Sequence, residues 1–276
     1  MTTASIVLYK NSLEECYSVL EPLVNSIVET IFLIDHSGDN KLEVLTKYSP
    51  KIKYIPHKNL GYGSGHNVAF REAYRINPDG FHIVMNPDII LSAETISKME
   101  QFMSEAPTVG WCMPRILNAD GTDQKLCKYL PAPMDLFSKR FFPLCLAGKR
   151  IDQLTMCDCD YDKVLSVPWL SGCFMFLRLK AVMAVDGFDE RYFLYAEDID
   201  LSRRVHLVYD TVYYPEVSVV HLHRADSYHS TRMMMIHIAS VIKYFNKWGW
   251  FGDRERDVIN DKARTRNQAG IILPRS

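Results

Sequence analysis

An α/β fold, with a mixed and mostly parallel sheet flanked by helices, is what this sequence predicts, on three observations. Short apolar runs of strand length alternate with stretches of helical periodicity over roughly the first 115 residues. Those runs close on Asp, Asn, Gly or Pro, the residues that end strands and open turns. Apolar residues make up 47% of the 276 residues and charged residues 24%, ample material for a large core.

The elements follow in order. Ala4 to Tyr9 reads as a buried strand, after which Leu13, Cys16, Tyr17, Leu20, Leu23 and Val24 recur at helical spacing. Ile31 to Ile34 is a second strand, closed by Asp35 and the turn formers Ser37, Gly38 and Asp39. Ile52 to Ile55 is a third, followed by the glycine-rich GYGSGHN segment as a strand-to-helix turn and a helix through Val68 to Tyr74. Phe81 to Met85 is a fourth, ending at Asn86-Pro87-Asp88; Ile96 to Met103 fits a helix and Val109 to Ile116 a strand. From Leu117 to Leu165 the pattern weakens into an irregular insertion carrying a basic-aromatic patch, Phe137 to Phe142. Such insertions in compact domains are more often functional than not. Order returns with Val167 to Leu170, Phe174 to Leu177, and two short β runs, Thr211 to Tyr214 and Val217 to Val220. Met234, Ile238, Val241, Ile242, Phe245 and Trp248 share one face of a C-terminal helix, and the residues from Ala263 onward read as a loosely held tail.

Bulk properties exclude some functions. A net charge of −1 without a basic run argues against a nucleic-acid partner. No apolar stretch reaches the ~20 residues that span a bilayer, and MTTASIVLYK lacks the pattern of a secretory signal. Seven cysteines without zinc-site spacing fit reduced thiols in a cytoplasmic protein.

Ligands in open α/β sheets bind beyond the carboxyl ends of the strands, and Tyr9, Asp35, Asn59 and Asp88 all fall on that edge. Asp88 closes an apolar strand; one carboxylate plus nucleotide phosphates suits Mg2+ or Mn2+. His221 and His223 alternate with Leu222 after a β run, so both imidazoles face one side, toward a metal or phosphate. The glycines of GYGSGHN let a ligand approach the backbone, although G-x-G-x-G has neither Rossmann nor P-loop spacing. Trp169, in Trp-Leu-Ser-Gly, offers a flat platform for a sugar. The richest segment is GFDERYFLYAEDIDLSRR, Gly187 to Arg204, with Glu197, Asp198 and Asp200 beside aromatic rings. It reads either as a general base or as the acidic start of a helix.

Taken together these segments resemble the family 2 glycosyltransferases, which have the GT-A fold, and in wording the bacterial rhamnosyltransferase branch. The resemblance runs from Ala4 to about Ser227 through SIVLYKN, FLIDHSGDN, NLGYGSGHNVAF, VMNPD, WLSGCFMFLRLKAVMAVDGFDERYFLYAEDIDLSRR and VVHLHRADS. It implies a 1–228 transferase domain, with a nucleotide-sugar half (1–116) and an acceptor half (117–228), and a 229–276 helical extension and tail. It further implies inverting transfer from a nucleotide-diphosphate sugar, dTDP-rhamnose or else a UDP-sugar, to a saccharide acceptor, possibly lipid-linked, in surface polysaccharide synthesis. Asp198 then stands as catalytic base. Tyr9, Asp35, Asn59, Gly61, Asn67, Asn86 and Arg204 stand as donor contacts, Arg204 at the diphosphate. Trp169 and Glu197 face the acceptor, while Asp88, His221 and His223 take Mg2+ or Mn2+. Asn86 replaces the first acid of the family's Asp-x-Asp, leaving one charged ligand fewer. The Phe137 to Phe142 patch and the C-terminal helix suggest peripheral contact with the inner face of the cell membrane. A nucleotidyltransferase would also use strand-end carboxylates beside a glycine-rich segment but lack the acceptor-side base. A non-catalytic carbohydrate-binding protein would have no need of both Asp88 and Asp198.

Overall fold

The computed structural model describes residues 1–136, 154–222, 231–271 and 273. Its strands are β1 (Thr2–Leu8), β2 (Val28–Asp35), β3 (Ile52–Pro56), β4 (Phe81–Met85), β5 (Ile89–Ile90), β6 (Val109–Leu117), β7 (Leu165–Ser166), β8 (Phe174–Arg178) and β9 (Asp210–His221). They form one sheet in the order β3-β2-β1-β4-β8-β6-β9-β5, with β7 beside β9. The N-terminal half is parallel, β1 pairing β2 and β4, and β2 pairing β3. Beyond β4 the sheet turns mixed, because β8 enters antiparallel between β4 and β6. Strands β1 and β4 are buried on both faces and mostly apolar, with Thr3, Ser5 and His82 as buried polar exceptions.

Helices α1 (Leu13–Val24), α2 (Tyr62–Ile76), α3 (Ala93–Glu105), α4 (Leu179–Met183), α5 (Glu197–His206), α6 (Thr231–Trp248) and α7 (Arg254–Ala269) accompany the sheet. Ser12 caps α1 in a capping box with Glu15, and Ser92 caps α3, as those residue types favour.

Four expectations need correction. The GYGSGHN glycines form the first turn of α2, with only Gly61 outside it at φ 114°. Glycine is required there because a Cβ on Gly61 would lie 2.4 Å from the Phe193 carbonyl oxygen, and one on Gly63 would meet Phe188 at 2.6 Å. The two short β runs are a single strand, β9, with a register shift opposite Pro114/Arg115. Residues from Ala263 are not loose: α7 continues to Ala269, Ala263 is buried, and the Asn267 amide exchanges two hydrogen bonds with the Ser166 backbone. On α6 the buried face is Ser240, Val241, Tyr244 and Phe245, and Ile242 is exposed.

The C-terminal helices pack against the segments that follow β6. Val241, Tyr244, Phe245 and Ile259 form one apolar cluster with Leu130, Trp169, Tyr192 and Ile199. Arg203 on α5 pairs with Asp253 and Glu255 at the start of α7. No helix among the described residues is long and apolar enough to cross a membrane. The Phe137 to Phe142 patch lies outside the described residues.

Candidate active site

A cavity of about 310 Å³ opens where β4 ends, between the Trp169–Cys173 loop, the start of α5, the first turn of α2 and α6. Tyr62, Asn86, Trp169, Gly172, Glu197, Asp198, His221 and His237 are among its walls. Parallel β4 brings its carboxyl end to this edge, and antiparallel β8 starts there, so Asn86 N donates to the Cys173 carbonyl at 2.9 Å. The connections before β8 and before α5 therefore meet at one point.

Asp198 is the second residue of α5. Its Oδ2 accepts the Trp169 indole N–H and the Gly172 amide, both at 3.2 Å, and its Oδ1 accepts Ile199 N at 2.8 Å. Gly172 permits this approach: a Cβ there would stand 3.2 Å from Asp198 Cβ. Ser202 Oγ, one turn further along α5, accepts Leu170 N and holds the Trp169 loop to the helix. Two consecutive residues before α5, Tyr195 (φ 69°) and Ala196 (φ 63°), are left-handed without being glycine. Such positions cost energy and cluster at functional sites.

Glu197 is 94% buried by the same start of helix, and its Oε2 has no hydrogen-bond partner among the described residues. Burial, and then the adjacent Asp198, push its pKa upward, so it favours the protonated form. Tyr62 closes the opposite wall, its hydroxyl donating to the Gly172 carbonyl at 2.9 Å. Burial, then the charges of Glu197 and other cavity groups, push that phenol well up, so it stays a neutral donor.

Across the cavity, His221 at the end of β9 has Nε2 3.4 Å from Asp88 Oδ1. The register β5–β9, Ile89 opposite His221, sets that pairing. Burial opposes a proton on His221, but hydrogen bonds to Asp88 and Cys173 outweigh it and raise its pKa to about 10. His223 lies outside the described residues. Among the described residues no three His, Cys, Asp or Glu side chains gather as a cation cage. The donor set on offer is one carboxylate and one imidazole that sheds its proton to ligate, which fits a cation that draws its remaining ligands from phosphate and water.

Other sequence candidates fall elsewhere. Asp35 ends β2 buried, its carboxylate accepting Tyr54 Oη at 2.7 Å and Ser37 N at 2.8 Å. Tyr9 and Asn59 stand exposed near the same parallel edge. Two expectations are corrected. Asn67 binds the 187–190 loop: its Nδ2 donates to the Phe188 carbonyl and Glu190, and its Oδ1 accepts Phe188 N, all within 3.0 Å. Arg204 is turned from the cavity, held by Asp200 Oδ2 at 2.8 Å and by the Val185 carbonyl. Trp169 is not a free platform either, since the Lys128 ammonium lies 4.3 Å from the ring centroid and its indole nitrogen faces Asp198. Tyr62, Cys173 and His237 were not singled out from sequence. Tyr62 carried a signal, as the one aromatic among the glycines of GYGSG; His237, on α6, carried none.

The model of the family described as Glycosyl transferase family 2 matches residues 6–159. The N-acetylglucosaminyl-diphospho-decaprenol L-rhamnosyltransferase of Mycobacterium tuberculosis is 28% identical over 214 residues, covering 72% of this chain and 67% of that protein. Rhamnosyltransferase WbbL of Escherichia coli is 25% identical over 238 residues, 83% of this chain and 87% of its own. Among solved structures, S. aureus TarS 1–349 superposes with a TM-score of 0.58 at 16% identity, covering 98% of this chain and 72% of that one. Mannosyltransferase PcManGT from Pyrobaculum calidifontis, solved with GDP-Man and Mn2+, gives a TM-score of 0.55 at 13% identity, with 98% and 76% covered. These structures share the GT-A-like mixed α/β architecture.

Proposed function

The chain belongs to glycosyl transferase family 2, and from that premise we propose an inverting transfer of L-rhamnose from a nucleotide-diphosphate donor, dTDP-rhamnose, to a saccharide acceptor. The observation that carries the reading is the placement of Asp198: its carboxylate lines the same cavity as His221 and accepts three N–H donors. Asp198 takes the proton from an acceptor hydroxyl as that oxygen attacks the anomeric carbon from the face opposite the leaving nucleoside diphosphate. General-base catalysis of this kind contributes roughly 10²–10⁴-fold.

Asp88 and His221 are the residues that would hold Mg2+ or Mn2+, a cation that neutralises charge on a departing diphosphate when bound. Asn86 keeps the carboxyl end of β4 beside the Cys173 strand, where the donor's diphosphate and sugar meet the cavity. Asp35, with Tyr9 and Asn59 near it, supplies the nucleoside end, and Gly61 leaves the backbone bare at the rim. The acceptor enters between Trp169, Glu197 and α6. The two rhamnosyltransferase relatives support the sugar, and the name of the mycobacterial one supports a lipid-linked acceptor met at a membrane surface.

Asp198→Asn is the test. Transfer falls by at least the 10²-fold lower bound of base catalysis, with nucleotide-sugar binding by calorimetry unchanged. Near-normal turnover by that variant sinks the assignment. A thermal-shift screen of dTDP-, UDP- and GDP-sugars, with and without Mn2+, identifies the donor; stabilisation by UDP-sugars alone replaces rhamnose.

A further inference from the structure

Two adjacent carboxyls open α5, and their surroundings are opposite. Asp198 accepts three N–H groups, while Glu197 Oε2 accepts none among the described residues. Hydrogen bonds to a carboxylate favour its charged form, and burial without them favours the neutral acid. Two carboxyls held this way divide the roles of base and acid. Two of the three donors come from one loop, through Trp169 Nε1 and Gly172 N, and both reach the same oxygen, Oδ2.

We infer that Trp169 is a positioning residue for Asp198, its indole N–H fixing the orientation of the carboxylate. The inference rests on the reading of Asp198 as base. Geometry supports it over the stacking role that sequence alone suggests. The ring is 92% buried, Lys128 Nζ covers one face at 4.3 Å, and the ring edge carrying the nitrogen points at the base. The loop is built to hold that aim. Lys128 and Trp169 exchange both backbone hydrogen bonds, at 3.2 and 3.0 Å, and Ser202 fixes Leu170 to α5. Lys128 has a further effect, since its ammonium against the π face polarises the indole and strengthens the N–H as a donor.

The proton balance closes. The acceptor hydroxyl's proton passes to the free lone pair of Asp198, the new C–O bond forms, and the nucleoside diphosphate departs with the electron pair of the broken bond. Glu197 keeps its own proton throughout and donates it as a hydrogen bond to a second acceptor oxygen. Around Asp198 the titratable groups are Glu197 on its own helix, Tyr195 just before it, Tyr62 from α2, Cys173 on the loop before β8, His221 from β9 and His237 from α6.

The test is Trp169→Phe, which keeps an aromatic ring but removes the N–H together with the pyrrole part of the indole. The expected result is a kcat loss of about tenfold, the size for one hydrogen bond to a charged group. The acidic limb of the kcat/KM profile moves up by roughly half to one pH unit, because the carboxylate is less stabilised. Donor KM stays within error, while the thermal midpoint falls with the lost ring volume. Lys128→Met, which leaves the N–H in place, moves the acidic limb less than Trp169→Phe does. A raised acceptor KM with an unmoved acidic limb overturns the inference in favour of a stacking platform. A Trp169→Phe variant that matches the parent in both kcat and profile overturns it outright. Asp198→Asn, assayed in parallel, separates the two layers: turnover by that variant removes the base itself, whereas an inactive Asp198→Asn with an unaltered Trp169→Phe removes only the positioning role.

Discussion

Two buried polar networks hold the two halves of this molecule, and they are built on opposite principles. Under the parallel half lies a neutral one. Thr3 Oγ1 meets His82 Nδ1, and Ser5 Oγ bridges His82 Nε2 and His66 Nδ1, each at 2.7 Å, with both rings fully buried. Behind α5 lies a charged one: Asp200, with no exposed surface, accepts Lys247 at 2.7 Å, Arg204 at 2.8 Å and the Trp248 indole at 2.8 Å. Asp189 joins it through Lys247. The parallel half is assembled from consecutive β-α units whose strands already specify register, so neutral hydrogen bonds suffice to fill its polar positions. The mixed half must seat α6 and α7, which come from far along the chain. Ion pairs between residues some fifty positions apart give that docking a single geometry. The comparison teaches that Asp198 and Asp200, two residues apart, belong to different systems: one faces the cavity, the other ties the C-terminal helices beneath it.

The sharpest way to break this contrast is Asp200→Asn. It leaves Arg204 and Lys247 facing a neutral amide in a sealed site, and loss of one partner of a buried pair costs about 3–5 kcal/mol. Chemical denaturation should show that loss, and 0.5 M salt should not reproduce it in the parent, because a buried pair is poorly screened. Asp198→Asn, by contrast, should leave stability within about 1 kcal/mol of the parent. If the two substitutions destabilise equally, the division between cavity and network fails.

Acid is the corresponding probe of the neutral network. Burial lowers the His82 pKa to about 3 from an ordinary 6.5, and burial, with His82 and His36 adding to it, also lowers His66. The folded state therefore binds fewer protons than the unfolded state between those values, and stability rises with pH there. The contribution is complete above pH 6.5 and is lost as the pH falls below it. From pH 7 to 5, His82 alone should cost about 2 kcal/mol, at 1.36 kcal/mol per unit. A stability curve flat between those pH values would contradict the neutral assignment, and His82→Gln should reduce its slope, leaving the part that His66 contributes.

Much of the architecture was legible because strand period and strand ends are local properties. Asp35, Asn86 and Asp88 each close an apolar run, and β-strand geometry alone brings such residues to one edge. Asp198 was legible through its motif. What could not be read were partners set by tertiary approach. Asn67 meets Phe188 across 121 residues, and Arg204 turns to Asp200 because α5 presents that side to the interior. Helix α7, RERDVINDKARTRNQA, lacks an apolar stripe and passed for a tail; polar anchors hold it, Asn260 to the Leu130 backbone and Asn267 to that of Ser166. The aim of Trp169 at Asp198 was invisible for the same reason, since nothing in a sequence states which edge of a ring faces which oxygen.

The smallest expected stability effect falls at the junction of the two systems, where Tyr195 and Ala196 turn the chain into α5. Ala196 is buried against the α6 cluster at φ 63°, a conformation costing an L-residue about 1–2 kcal/mol that glycine avoids. Ala196→Gly relieves that strain, but it also frees the unfolded chain by roughly 0.5–1 kcal/mol and removes a packed methyl worth about 0.8 kcal/mol. These contributions nearly cancel, so denaturation should place the variant within about 1 kcal/mol of the parent. Turnover is where the substitution should register. The strained pair limits how Glu197 and Asp198 enter the helix, and a glycine there widens the angles open to Asp198 while leaving its hydrogen-bond donors in place. The expected signature is a lower kcat with an unmoved acidic limb, the converse of the Trp169→Phe profile. A glycine variant with parental kcat would show that the aim of Asp198 comes from its hydrogen bonds alone, and that the left-handed pair serves only to let α6 and α5 meet.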